Sequence, residues 1–172
     1  MLGKRYSLSF TLLCSLLFGL AGAPLGAADT VSQAMKQILD HRSDDFASIR
    51  TNPHDGYGET DYASKVVVPG AKECYIRQEI KPRYADGCDV ADSKNRSAVL
   101  AKYARYVKDL RAAAPTSWIS WTEEKAKPGG EATYVGPDRS HPAAKVGWVV
   151  EGMNANYFLL SVTFYAEGYV KQ

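Results

Sequence analysis

Two cysteines, Cys74 and Cys88, most constrain how this chain can fold. The remaining one, Cys14, lies in an apolar N-terminal run that we expect to be removed, so the mature chain keeps a single pair. In an oxidising compartment, a lone pair of thiols without Cys-x-x-Cys spacing is typical of a disulfide rather than a metal or redox site. Closing a loop of about 15 residues stabilises a fold by about 3 kcal/mol. We therefore predict a Cys74–Cys88 disulfide, with two free structural thiols as the alternative.

Residues 1–28 have the layout of a cleaved secretory signal peptide. Lys4 and Arg5 form a basic start, residues 8–20 form an apolar run, and residues 26–28 are small. The apolar run is shorter than the roughly 20 residues that a membrane span needs. We predict cleavage after Ala28, leaving one α+β domain over residues 29–172 that is periplasmic or secreted and has no membrane span. An uncleaved anchor is the alternative.

The charge of the mature chain argues against nucleic acid as a partner. The whole sequence has 21 basic and 19 acidic side chains. Two of the basic residues, Lys4 and Arg5, lie in the predicted signal, and removing them leaves 19 of each sign. A neutral domain lacks the basic surface that binds nucleic acid or an anionic membrane.

Two helices are predicted, over residues 30–50 and 92–114. Asp92 or Ser93 is the expected cap of the second helix, and Pro53 and Pro115 follow the two predicted ends. Each helix carries an apolar stripe at helical spacing. The stripes are Val31, Met35, Ile38, Leu39, Phe46 and Ile49, then Val99, Tyr103, Tyr106, Val107, Leu110 and Ala114.

Alternating apolar and polar residues predict the strands. They cover residues 64–68, 72–80, 116–123, 131–135, 144–151 and 157–167, with Cys88 in a loop before the second helix. In the last strand, Phe158, Leu160, Val162 and Phe164 are expected to face the helices. The predicted fold is α+β: two helices packed on one face of an antiparallel sheet of about five to six strands, in the order α-β-β-α-β-β-β-β.

Loop histidines are the weak candidates for catalysis. His54 and His141 lie beside Asp55 and Asp138, and imidazole exchanges protons near neutral pH. A small secreted hydrolase using these side chains is therefore one alternative. The sequence shows no nucleophile elbow, phosphate-binding loop or metal-ligand spacing, so we expect no metal and no cofactor, and we favour binding over catalysis.

The loop of residues 54–62 holds three carboxylates, Asp55, Glu59 and Asp61. Carboxylate oxygens on a flexible backbone suit calcium, but their spacing does not match the calcium loop of an EF-hand. A solvated loop is the expected interpretation, and an ion site is the alternative.

The face of the sheet turned away from the helices is the predicted partner surface. Strand alternation places Trp121, Val149, Leu159 and Tyr165 on it, and Tyr57 adds a ring from a loop. An exposed patch of aromatic and aliphatic side chains is typical of an interaction surface. The alternative is that the hairpin of residues 116–135 or a loop covers these side chains.

These patterns favour an exported binding or accessory protein that engages a protein or a cell-envelope component. Besides the hydrolase, a second alternative is a structural envelope protein that self-associates as a homodimer through the outer sheet face or an edge strand.

Overall fold

An eight-stranded antiparallel sheet forms the framework of the protein. The computed structural model describes residues 27–53, 61–80, 83–125, 129–151 and 156–171. The strands are β1 Arg50–Pro53, β2 Asp61–Ser64, β3 Glu73–Ile80, β4 Arg83–Ser93, β5 Ile119–Glu124, β6 Gly130–Gly136, β7 Ala144–Glu151 and β8 Tyr157–Tyr165. They pair in the order β1-β2-β3-β4-β8-β7-β6-β5, which leaves β1 and β5 at the two edges. The helices are α1, Ala27–Asp40, and α2, Arg96–Ala113.

The prediction of five to six strands in the order α-β-β-α-β-β-β-β is wrong. Four strands precede α2 instead of two. β1 begins at Arg50, the last residue of the predicted first helix, and β4 occupies the segment predicted as a loop and a helix start. Of the predicted strand 64–68, only Ser64 belongs to a strand. The structure is therefore mostly sheet.

α1 is shorter than predicted because the chain turns sharply after Asp40. Two short 3-10 helices, Arg42–Asp44 and Ala47–Ile49, replace its second half. Between them Asp45 and Phe46 have positive φ angles of 53° and 58°, which end the helical path. Residues other than glycine adopt this conformation only at a cost, so the surrounding packing has to hold it.

α2 begins at a different cap from the one predicted. The side-chain oxygen of Asn95 accepts a hydrogen bond from the backbone N–H of Ala98 at 3.1 Å, whereas Asp92 and Ser93 lie in β4. Capping satisfies a first-turn amide that has no partner within the helix.

Both helices share one core with the sheet face that they cover, which we call the inner face. The predicted stripes contribute Met35, Ile38 and Leu110, each 0 % exposed. From β8, Leu160, Val162 and Phe164 are buried in the same cluster, and Phe158 packs against it. The predicted orientation of β8 is thus confirmed, and the opposite side of the sheet is its outer face.

The Cys74–Cys88 disulfide is present and joins directly opposed residues of β3 and β4. Their Cα atoms lie 4.1 Å apart, on the inner face. The bridge therefore ties two neighbouring strands together, and Cys88 is a strand residue rather than part of a loop.

Within the described ranges, neither helix combines the length and the apolar content needed to cross a membrane.

Candidate functional site

The outer face brings four of the predicted contact residues to one side of the sheet. Val149 of β7 is the direct cross-strand partner of Leu159 of β8. Trp121 of β5 is paired with Tyr134 of β6, while Tyr165 follows Leu159 by six residues on the same face of β8. The fifth predicted residue, Tyr57, lies outside the described residues.

The chain itself covers one end of the outer face. Trp121 is 6 % exposed and stacks on Tyr134 at 5.4 Å between ring centroids. Tyr165 is 4 % exposed and stacks on Tyr169, which follows β8, at 4.3 Å. The ammonium of Lys171 lies 4.4 Å from the centroid of the Tyr134 ring. Two of the predicted aromatic contacts are therefore packed within the chain.

The other end of the outer face contains a pocket of about 280 Å³. We call it the outer-face pocket. Val149 of β7 and Leu159 and Ser161 of β8 line it, and Lys125 follows β5 at one side. The other lining residues are Lys72, Asp89, Ala91, Asp92, Glu151 and Leu160. Aliphatic groups and charges thus meet in one concave site.

A bulge in β4 places two acidic residues at this pocket. Asp89 is paired with Ser161 and Asp92 with Leu159, and the register shifts between Asp89 and Ala91. In a regular strand, residues three apart point to opposite faces. The extra residue of the bulge turns both carboxylates outward, which strand alternation alone does not predict.

One of these carboxylates is paired. The Lys72 ammonium lies 2.6 Å from Asp92, and this hydrogen bond lowers the pKa of Asp92 and raises the pKa of Lys72. The pair neutralises one charge of each sign at the rim of the pocket.

Asp89, unlike Asp92, is not paired with a lysine. Its carboxylate has no hydrogen-bond or ion-pair partner among the described residues. Partial burial, and then the charge of the neighbouring Glu73, raise the pKa of Asp89. Lys72 and Arg77 act in the opposite direction without cancelling this effect. The charged form of Asp89 is therefore one that a cation in the pocket would stabilise.

Two of the four predicted catalytic residues, His141 and Asp138, are in contact. Nδ1 of His141 lies 3.0 Å from both carboxylate oxygens of Asp138, and this hydrogen bond lowers the pKa of Asp138. The same carboxylate accepts the backbone N–H groups of Ser140 and His141, so the contact belongs to a tight exposed turn. His54 and Asp55 lie outside the described residues.

One of the three carboxylates proposed as calcium ligands, that of Asp61, is already paired with an arginine. Asp61 lies in β2, is 1 % exposed, and accepts hydrogen bonds from Nε and Nη2 of Arg77. Asp55 and Glu59 lie outside the described residues.

A buried carboxylate beside the disulfide was not anticipated. Potential ligand atoms of Cys74, Asp86 and Cys88 lie within 4.8 Å of one another. Both sulfurs are bonded to each other, so neither is available as a thiolate. Asp86 is 0 % exposed, and burial raises its pKa to about 8. At neutral pH this carboxyl is mostly protonated, which suits an apolar core better than metal binding.

No protein family, curated protein or solved structure was found to match this chain, so the evidence on function comes from its own residues.

Proposed function

We propose that this is an exported binding protein whose outer-face pocket receives a basic side chain of a partner protein. The observation that carries the proposal is the partly buried, unpartnered carboxylate of Asp89 in a pocket that the aliphatic residues Val149 and Leu159 also line. A Lys or Arg side chain matches both features, because its methylene groups pack on apolar surface while its charged end meets a carboxylate.

The charge around the pocket supports a cationic rather than an anionic partner group. Asp89, Asp92 and Glu151 line it, against Lys72 and Lys125. Lys72 and Asp92 neutralise each other, so the charges left at the pocket are two carboxylates, Asp89 and Glu151, and one ammonium, Lys125. Complementary charge at a partly desolvated site favours specific association.

Export is supported by the cross-strand disulfide and by the signal-like N-terminus. Disulfides of this kind persist in the periplasm and outside the cell. A partner in the cell envelope or in the medium follows from that location.

A pair of small probes tests the pocket directly. Nα-acetyl-lysine methylamide and Nα-acetyl-norleucine methylamide share an aliphatic stem, but only the first carries an ammonium. In an NMR titration, we expect the lysine probe to shift the amides of Leu159 and Ser161, and the norleucine probe to leave them in place. Asp89→Asn should abolish the shift, whereas Asp138→Asn, which removes a carboxylate from a remote turn, should not.

Partner capture extends the test to macromolecules. Mature protein is mixed with extract of the native cell envelope, and bound proteins are identified by mass spectrometry. A partner retained by the wild type and by Asp138→Asn, but lost by Asp89→Lys, supports the proposal. Equal capture by all three proteins, together with no response to the lysine probe, would overturn it.

Self-association remains a second candidate because one edge of the sheet is open. β5 is a six-residue edge strand, and Ile119 at its start is 45 % exposed. The other edge, β1, is short and contains Pro53, which cannot donate to a new strand. Light scattering over a range of concentrations separates self-association from binding of a different protein. A dimer that Ile119→Lys disrupts indicates pairing through β5, and a strict monomer excludes self-association.

A further inference from the structure

A second cavity lies away from the outer-face pocket. It has a volume of about 560 Å³ and sits where α1 and α2 both end. We call it the helix-end pocket. Leu39, Ala113 and Trp118 give it apolar surface, and Asp40, Arg42 and Glu167 give it charge. This volume is within the range of small-molecule sites, roughly 300 to 1,000 Å³.

Arg42 is held in one orientation at the wall of this pocket. Its Nε donates a hydrogen bond to the backbone carbonyl of Tyr165 at 2.6 Å, and its guanidinium lies 5.3 Å from the centroid of the Trp118 ring. Its terminal amino groups have no acceptor among the residues that the structure describes. Burial lowers the pKa of Arg42, yet a guanidinium keeps its charge at neutral pH. Such a group is preorganised to bind a planar carboxylate.

The backbone around Arg42 is fixed by costly geometry. Asp45 and Phe46 both have positive φ angles, a strained conformation for residues other than glycine. Phe46 is 0 % exposed and donates its N–H to the carbonyl of His41 at 2.9 Å. The N–H of Glu167 donates to the carbonyl of Arg42 at 3.0 Å. These contacts hold the residue that faces the cavity in place.

Other parts of the pocket lining are negative. Leu39 and Asp40 belong to the last turn of α1 and Ala113 to that of α2, and last-turn carbonyls lack partners within a helix. Asp40 is neutralised by Lys36 at 2.8 Å, and the other carboxylate of the lining, Glu167, lies next to Arg42 in the chain packing, where its charge acts on the guanidinium. A simple anion would meet this negative side, whereas an ammonium would be stabilised by it.

We propose that the helix-end pocket binds a free α-amino acid with an apolar side chain. The carboxylate lies on the guanidinium of Arg42, the ammonium lies between the helix ends and Glu167, and the side chain packs on Leu39, Ala113 and Trp118. This site is independent of the outer-face pocket and gives the protein a small-molecule ligand in addition to its partner.

Three probes of matched shape test the proposal. L-leucine carries both charged groups, 4-methylpentanoate lacks the ammonium, and 3-methylbutylamine lacks the carboxylate. By calorimetry on the mature protein, we expect leucine to bind at least about tenfold more tightly than either analogue, a difference of about 1.4 kcal/mol. Arg42→Lys keeps the charge but loses the planar fork, and it should weaken leucine binding by about tenfold or more. Lys94→Ala, an exposed residue before the start of α2 and so at the other end of that helix, should leave it unchanged.

A spectroscopic readout protects the test against a folding defect in Arg42→Lys. In the wild type, leucine should shift the indole N–H signal of Trp118 and leave those of Trp121 and Trp148 in place. The proposal is overturned if neither leucine nor phenylalanine binds at about 10 mM. It is equally overturned if the truncated analogues match leucine, or if the shifts map to the outer face.

Discussion

Ser64 donates its hydroxyl proton to the Oδ2 atom of Asp86 at 2.8 Å, and both residues are buried beside the disulfide. The hydroxyl comes from β2 and the carboxyl from β4, so the bond spans the strand between them. It favours the charged carboxylate, but burial outweighs it and raises the pKa of Asp86 to about 8. The folded protein therefore holds a proton that the unfolded chain releases above about pH 4.

The first prediction concerns pH. Because Asp86 is protonated in the fold and ionised in the unfolded chain, its contribution to stability is full below about pH 4 and declines as the pH rises towards about 8. Asp86→Asn cannot lose a proton and keeps an acceptor for Ser64. We measure the free energy of unfolding by urea titration. Relative to the wild type, we expect the value for the variant to rise steadily between pH 5 and pH 8. A constant difference across this range would contradict the prediction.

The second prediction concerns the disulfide. Cys74 and Cys88 are 14 positions apart, and replacing both with alanine should lower the free energy of unfolding by about 3 kcal/mol, because the unfolded chain regains the freedom of an open loop. Urea unfolding measures the loss. Dithiothreitol should reproduce it in the wild type and have no effect on the double variant. A loss below about 1 kcal/mol would show that the paired strands, not the cross-link, determine this part of the stability.

The third prediction concerns the pair of Arg77 and Asp61. Arg77→Met would leave the carboxylate of Asp61, which is 1 % exposed, without its guanidinium partner. We expect a loss of about 3 kcal/mol in unfolding free energy, because a buried unpaired charge is costly. The double variant Arg77→Met/Asp61→Asn should recover part of it.

An exposed pair provides the matched control. Lys36 and Asp40 lie 2.8 Å apart on the surface of α1, and Lys36→Met should cost less than about 0.5 kcal/mol. Equal losses at the two pairs would show that burial does not distinguish them.

The fourth prediction concerns the start of α2. Asn95→Ala removes the oxygen that accepts the N–H of Ala98 and should lower the melting temperature, at a cost of about 1 kcal/mol. Lys94→Ala, one residue earlier and also exposed, should leave the melting temperature nearly unchanged. A similar drop for both variants would indicate a general effect of substitution here rather than loss of the cap.

The sequence predicts the buried residues better than it predicts the elements that carry them. Phe46 and Ile49 continue the apolar stripe of α1 and are buried as expected, but they lie beyond the helix in short 3-10 turns. No glycine or proline marks the end of α1 at Asp40, and the left-handed residues that follow it, Asp45 and Phe46, are not glycines either. Tertiary packing, rather than local preference, determines this end.

β4 was missed because its residues are poor strand formers. It contains Asp86, Gly87 and Asp89, which favour turns when they are judged from local sequence alone. Pairing with β3 on one side and β8 on the other holds it in the sheet. The candidate site was found only in part for the same reason: Val149 and Leu159 follow from alternation, whereas Asp89 and Asp92 depend on this strand and its bulge.

Because of the bulge in β4, the effect of a one-residue deletion on the outer-face pocket depends on where in the strand the deletion falls. A one-residue deletion at Val90 would let β4 pair continuously with β8 and would keep both flanking carboxylates on the solvent side. A deletion at Cys88 or earlier in β4 would instead shift the preceding residues to the opposite face of the sheet and break their register with β3. A one-residue change in length is therefore compatible with the outer-face pocket at Val90 but not earlier in β4.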